Sequence, residues 1–173
     1  MADVIIVGSG PAGMMLAGEL ALAGIDVAIM ERRPTGALTE SRAGGFHCRT
    51  IEILDQRGIA GRFLDEGTTV QTARFGKSVL DISDFPTRHP YGLGLWQSRI
   101  QPILEDWIKE LGVPVHRRHE VVGFIQDESG VEVETADGAK IRAAFLIGAD
   151  GGRSVVRKCA GIDFPGWDAT RSN

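Results

Sequence analysis

Cysteine is scarce in this chain. The 173 residues contain two, Cys48 and Cys159, and no CxxC pair. That count excludes a disulfide framework and a zinc-type metal site. Aromatic residues make up only 6% of the chain, with a single tyrosine. Basic residues number 19 against 23 acidic, a formal net charge of −4, so the electrostatic footprint of a nucleic-acid partner is missing. Long apolar runs are lacking too. The longest uncharged stretch, residues 4–18, is interrupted by four glycines and Pro11 and is too short to span a membrane. Met1-Ala2-Asp3 offers no basic leader, so a secretory signal is not expected. With 43% apolar and 24% charged residues the composition is that of an ordinary folded domain. A soluble, cytoplasmic protein is expected.

Glycine, by contrast, is plentiful at 23 residues, and its placement organises the chain. Val4-Ile5-Ile6-Val7 is a short β-branched run of the kind enclosed on both faces of a parallel sheet. Gly8-Ser9-Gly10-Pro11-Ala12-Gly13 follows, then helix formers over 14–22, Gly24 at a C-cap position, and a second strand over 26–30 ending at Glu31. Together they make a βαβ unit with a right-handed crossover. Residues 32–45 read as loop, 49–56 as a helix, 59–66 as a further helical turn, and 70–96 as short strands. Ser98 is expected to cap a helix that carries Ile100, Leu104, Trp107, Ile108 and Leu111 on one face, with Pro102 near its start and Gly112 at its end. Strands are expected over 113–115, 120–126, 131–135 and 140–142, with turns at 127–130 and at Asp137-Gly138. Phe145-Leu146-Ile147 reads as another enclosed strand, and Ser154 as the cap of a short helix reaching Cys159. The fold class is α/β, a Rossmann-like βαβ core with a parallel sheet, interrupted by antiparallel strand elements.

A GxGxxG string alone is a weak signal, because glycines punctuate ordinary turns. Here it leaves a strand, opens a helix, and is followed after 17 intervening residues by Glu31 at the end of the next strand. Gly8 allows the tight turn, Gly10 lets the backbone approach a pyrophosphate, and Gly13 lets helix and strand pack closely. The helix-start N–H groups, around Ser9, Pro11 and Ala12, face the phosphates with the favourable end of the dipole. Glu31 can accept hydrogen bonds from ribose hydroxyls and is unfavourable to a 2′-phosphate. The turn therefore points to an adenine dinucleotide, and by itself does not choose between FAD and NAD.

A second segment bears on that choice. Gly148-Ala149-Asp150-Gly151-Gly152-Arg153-Ser154-Val155-Val156-Arg157 comes after the last strand and leads into a helix. It resembles the Asp-Gly fingerprint of the flavin-dependent aromatic hydroxylases of the p-hydroxybenzoate hydroxylase type. Glu31-Arg32, Ser41-Arg42-Ala43-Gly44 and Gln97 match the same family. The stretch from Gly45-Phe46-His47-Cys48 to Gly58 resembles the branch that hydroxylates aromatic polyketides and rifamycin-type antibiotics.

The resemblance implies FAD as cofactor, NADPH or NADH as electron donor, and hydroxylation of an aromatic small molecule by O₂ through a flavin C4a-hydroperoxide. It implies roles for residues as well. Glu31 and Arg32 would lie at the adenosine, and Arg42, Ala43 and Gly44 along the flavin, with Arg42 taking part in the flavin's swing between buried and exposed positions. Gln97 would meet the ribityl chain or a phosphate. Asp150 would sit near the pyrophosphate, accepting backbone N–H bonds, since a carboxylate is repelled by phosphate oxygens. Each has a plainer reading: a solvated arginine for Arg32 and Arg42, a polar helix-start residue for Gln97, a turn-forming Asp-Gly for Asp150. No residue is assigned as a catalytic acid, base or nucleophile, and no metal ligand set is expected. His47 and Cys48 point in different directions on a helix, and His116 and His119 read as surface.

Intact members of that family are much longer and carry a later Gly-Asp fingerprint absent here. Residues 1–173 are thus expected to be the N-terminal part of a FAD-binding domain, with 70–96 opening the sheet of a substrate domain. Alone, the segment is expected to bind FAD poorly and not to hydroxylate. Two other readings stand beside this one: a different FAD- or NAD-dependent oxidoreductase sharing the βαβ unit, and a non-catalytic dinucleotide-binding module.

Overall fold

Val4, Ile5, Ile6 and Val7 form strand β1 (Val4–Val7), and all four are buried, as a central parallel strand requires. The chain turns at Gly8 into helix α1 (Pro11–Leu22), whose first residue is a proline. Proline suits that position because its fixed φ is helical and its missing N–H has no partner to lose. Strand β2 (Val27–Glu31), entirely buried, returns parallel to β1 with Val4 opposite Val27 and Val7 opposite Met30. The computed structural model describes residues 2–37 and 43–167. It divides into two units, Met1–Pro34 with Gly112–Asn173, and Thr35–Leu111.

The second unit contains β3 (Gly45–Phe46), α2 (Cys48–Gln56), α3 (Ala60–Leu64), β4 (Thr68–Val70), β5 (Thr72–Phe75), β6 (Ser78–Asp81), β7 (Gly92–Gly94) and α4 (Gln97–Glu110). β7 lies between β3 and β4 and runs antiparallel to both, while β5 and β6 pair as a separate hairpin. Ile51, Leu54, Phe63, Leu93, Ile100, Leu104, Trp107 and Ile108 are buried. The Phe46 and Phe63 rings meet edge-on at 5.5 Å. Helix α4 begins two residues earlier than a Ser98 cap would place it. Trp96 holds the N-cap position without a side-chain cap, and Ser98 is inside the helix. A tertiary contact sets the boundary: the Gln97 N–H donates to the Ala43 carbonyl at 2.9 Å.

Back in the first unit come β8 (Val115–Arg117), β9 (Val121–Asp127), β10 (Gly130–Thr135), β11 (Lys140–Ala143), β12 (Phe145–Gly148) and α5 (Val155–Cys159). β8 starts later than the expected 113–115. Pro114 has no N–H to give the ladder, though its carbonyl accepts from Ile29 at 3.0 Å. The parallel sheet has the order β12-β1-β2-β8, and β11-β10-β9 form an antiparallel sheet. Ile5, Val7 and Met30 of the first pack with Val121, Val131, Val133 and Ala143 of the second in one core. β12 is not the enclosed strand its composition suggests. It pairs only with β1 at the sheet edge, and Phe145 is 67% exposed. Among the described residues no helix is long and apolar enough to cross a membrane.

Candidate dinucleotide site

The carboxyl ends of β1, β2 and β12 shape the glycine turn. The Gly8 N–H donates to the Met30 carbonyl and the Ala149 N–H to the Val7 carbonyl, both at 2.8 Å. Gly8 has φ +106°, and a Cβ there would lie 2.5 Å from the Ala149 carbonyl oxygen. At Gly13 a Cβ would stand 2.1 Å from the Gly8 oxygen, so α1 rests directly on the turn. Gly10 is different: no atom lies within 4 Å of its Cβ position. It is the N-cap of α1, no side chain caps that helix, and its first turn carries no acidic residue. The opening of α1 is thus an uncapped, carboxylate-free helix start with room in front of it. A pyrophosphate fits that chemistry.

Ser9 is fully buried and Glu31 is 5% exposed. The Ser9 N–H and hydroxyl donate to Glu31 Oε2 at 2.9 and 2.8 Å. The Arg33 N–H and Nε donate to Oε1 at 2.9 and 3.1 Å, and Arg33 Nη2 reaches Oε2 at 3.2 Å. Burial alone raises the Glu31 pKa; the Arg33 side chain and N–H and the Ser9 N–H and hydroxyl outweigh it and bring it down to about 2. Arg33 is absent from the residues singled out by sequence. It reaches Glu31 because the chain bends directly after β2 and brings the Arg33 N–H and guanidinium back onto the carboxylate.

Asp150 holds the start of α5. The Ser154 hydroxyl donates to its Oδ1, and the Val155 and Val156 N–H groups donate to Oδ2 at 2.6 and 3.3 Å. Ser154 Oγ in turn accepts the Arg157 N–H at 2.9 Å. The structure therefore brings residues 8–13, Glu31 and Asp150 together in the first unit. The Cβ position of Gly8 is 3.0 Å from the Asp150 Cα. Arg32 is exposed beside them.

In the second unit, Ala43 and Gly44 anchor the start of α4. The Gly44 carbonyl accepts the Leu95 N–H at 3.0 Å, just after the Ala43 carbonyl has taken that of Gln97. Ser41 and Arg42 lie outside the described residues. Trp107 is buried on α4, whereas Trp96 and Trp167 are exposed. The His116 and His119 rings meet edge-on at 5.7 Å. Cys48 and Cys159 are free thiols. A depression of about 540 Å³ in the second unit is lined by Arg62, Glu66, Ile103, Asp106, Lys109 and Glu110. Two of its carboxylates are already occupied, Glu110 by Arg62 and Glu66 by Arg99, and it contains none of the residues assigned to a cofactor.

Comparison with known proteins agrees with this geometry. The chain is 44% identical over 168 residues to the rifampicin monooxygenase of Streptomyces venezuelae, covering 96% of this chain and 35% of that protein. The solved anhydrotetracycline hydroxylase OxyS of Streptomyces rimosus superposes with a TM-score of 0.91 at 42% identity, over 96% of this chain and 35% of that one. A dialkyldecalin synthase of Streptomyces rugosporus is 38% identical over 165 residues, 95% of this chain and 35% of that protein. The chain spans about a third of the length of these relatives. The family model described as FAD binding domain matches residues 1–173. With that match over every residue, the chain belongs to the FAD binding domain family.

Proposed function

We propose that this chain is the FAD-binding part of an aromatic monooxygenase that uses NADPH or NADH and O₂ to hydroxylate an aromatic small molecule of the polyketide or rifamycin kind. The observation that carries the reading is the open, uncapped start of α1 at Gly10, walled by Gly8 and Gly13 and flanked by the buried Glu31 carboxylate. The relatives named above support the extension to a monooxygenase.

In this reading the turn of Gly8, Ser9, Gly10, Pro11, Ala12 and Gly13 receives the pyrophosphate on the N–H groups at the start of α1, with Gly8 and Ser9 shaping the turn through their own bonds to Met30 and Glu31 and Pro11 fixing the helix start. Glu31 accepts from the adenosine ribose and Arg32 covers the adenine. Arg42, Ala43 and Gly44 line the flavin, and Gln97 binds the ribityl chain or a phosphate. Asp150 keeps its own charge away from phosphate by spending it on the α5 N–H groups, so that the loop it begins stays ordered. When bound, FAD supplies the redox chemistry, taking electrons from the nicotinamide and activating O₂. The protein's own part is to hold it and to keep water from it. Residues 70–96 open the sheet of the substrate domain. A cytoplasmic location accords with two free thiols and with a supply of reduced nicotinamide.

The test is the full-length protein. It is expected to retain flavin, visible by its absorption, and to oxidise NADPH or NADH faster when an aromatic substrate is added, yielding a product with one more oxygen. Full-length protein that neither carries flavin nor takes it up when supplied overturns the reading. The dialkyldecalin synthase relative supports a second one, in which the same scaffold holds FAD in a synthase that adds no oxygen to its substrate. O₂ consumption stoichiometric with product separates the two.

A further inference from the structure

The Glu31 carboxylate is full. A carboxylate offers about four lone-pair positions, and five donors already address this one. Three are fixtures of the backbone and turn: the Ser9 N–H, the Ser9 hydroxyl and the Arg33 N–H. The other two, Arg33 Nε on Oε1 and Nη2 on Oε2, come from a long flexible side chain and sit one on each oxygen. With the two Ser9 donors on Oε2 and the Arg33 N–H on Oε1, the side chain's departure leaves one position, on Oε1, which a ribose 2′- or 3′-hydroxyl can take. The Arg33 side chain is 31% exposed against 6% for Glu31, so the arginine has a way out to solvent and the carboxylate does not. A buried carboxylate left without a partner is costly, which explains why a cation two residues on is held against it.

We propose that Arg33 is a placeholder for the adenosine ribose: its Nε occupies the acceptor position on Glu31 Oε1 that the fixed donors leave and that a ribose hydroxyl takes, and the guanidinium withdraws when the dinucleotide binds. Arg33 is thus a positioning residue that acts through Glu31. It keeps the carboxylate ionised and aimed until the ribose arrives, and it weakens ribose binding by having to be displaced. The inference rests on the dinucleotide reading above.

The experiment compares ADP with 2′,3′-dideoxy-ADP, which lacks the two hydroxyls, by calorimetric titration of the full-length protein freed of flavin. Loss of a cation near a diphosphate weakens both ligands alike, so the informative quantity is the ratio of the dideoxy-ADP Kd to the ADP Kd. In Arg33→Met that ratio is expected to rise about threefold or more, because the ribose no longer competes. Arg33→Lys, whose single ammonium cannot fork across two oxygens, is expected to fall between wild type and Met. It carries the test if Arg33→Met does not fold. A merely structural role would move both ligands equally, so a ratio that is unchanged or lower in the folded variant overturns the proposal. Wild-type protein that binds neither ADP nor FAD overturns the dinucleotide reading instead.

Discussion

Gly10 and Gly13 stand on one turn and are expected to fail in opposite ways when given a methyl group. Gly13→Ala drives a Cβ into the Gly8 carbonyl, backbone against backbone, and should destabilise the first unit by about 1–3 kcal/mol through forced displacement. Gly10→Ala meets no protein atom and should leave the melting temperature within the change expected of about 0.5 kcal/mol. FAD affinity should fall about tenfold or more in both, since in Gly10→Ala the methyl occupies the phosphates' approach. Calorimetry and flavin titration on the same two proteins check this. Glu31 gives a pH prediction. Its folded pKa is about 2 against an ordinary 4.5, so the stability it contributes is present above about pH 4.5 and is lost as pH falls from there toward 2. The full effect is roughly 3 kcal/mol. The stability gap between wild type and Arg33→Met, followed by urea denaturation, should therefore be widest near neutral pH, narrow below about pH 4.5 and close only toward pH 2. The glycines and Glu31 were legible from sequence because their spacing is local and each has one geometric task. Arg33 was not, because its task exists only once burial has left Glu31 short of a partner.

At the scale of elements, helix α4 carries a proline where its ladder is already running. Pro102 is exposed and lies inside the helix rather than in its first turn, so the Ser98 carbonyl has no N–H four residues on. Proline in a helix interior costs about 3 kcal/mol relative to alanine, and returns up to about 1 kcal/mol by restraining the unfolded chain. Pro102→Ala should thus stabilise the second unit by about 2 kcal/mol, read as a higher denaturant midpoint with an unchanged slope. An unchanged or lower midpoint would show that the helix start has already relaxed around the ring. Most elements were readable to within a residue or two, including the β9–β10 hairpin and α5 with its Ser154 cap. The misplaced boundaries have different causes. α4 starts where a distant carbonyl, that of Ala43, takes the Gln97 N–H, which no local preference reports. β8 starts where Pro114 stops blocking the ladder, and that signal was written in the sequence. The exposure of Phe145 was hidden, because an apolar run looks the same at the edge of a sheet as in its middle.

For the molecule as a whole, several large apolar side chains face outward. Phe75, Val79 and Leu80, on the paired strands β5 and β6, are each more than half exposed. Exposed apolar surface of this kind favours association. The 173-residue chain should therefore sediment faster as its concentration rises and should bind a hydrophobic dye. Phe75→Ser together with Leu80→Ser should reduce both without lowering the melting temperature. Dye binding that is the same in the double variant would move the sticky surface elsewhere.

The parallel pairing of β1 with β12 also sets an order of events during biosynthesis. Val4 leaves the ribosome early, yet its neighbour Phe145 is among the late arrivals, and Ala149, against which Gly8 closes, comes later still. Until translation has passed that point the nascent polypeptide holds only a half-walled cradle, and the intervening second unit can fold first. Prosthetic-group capture is then a post-assembly event, and truncated translation products ending before Gly148 would circulate without flavin.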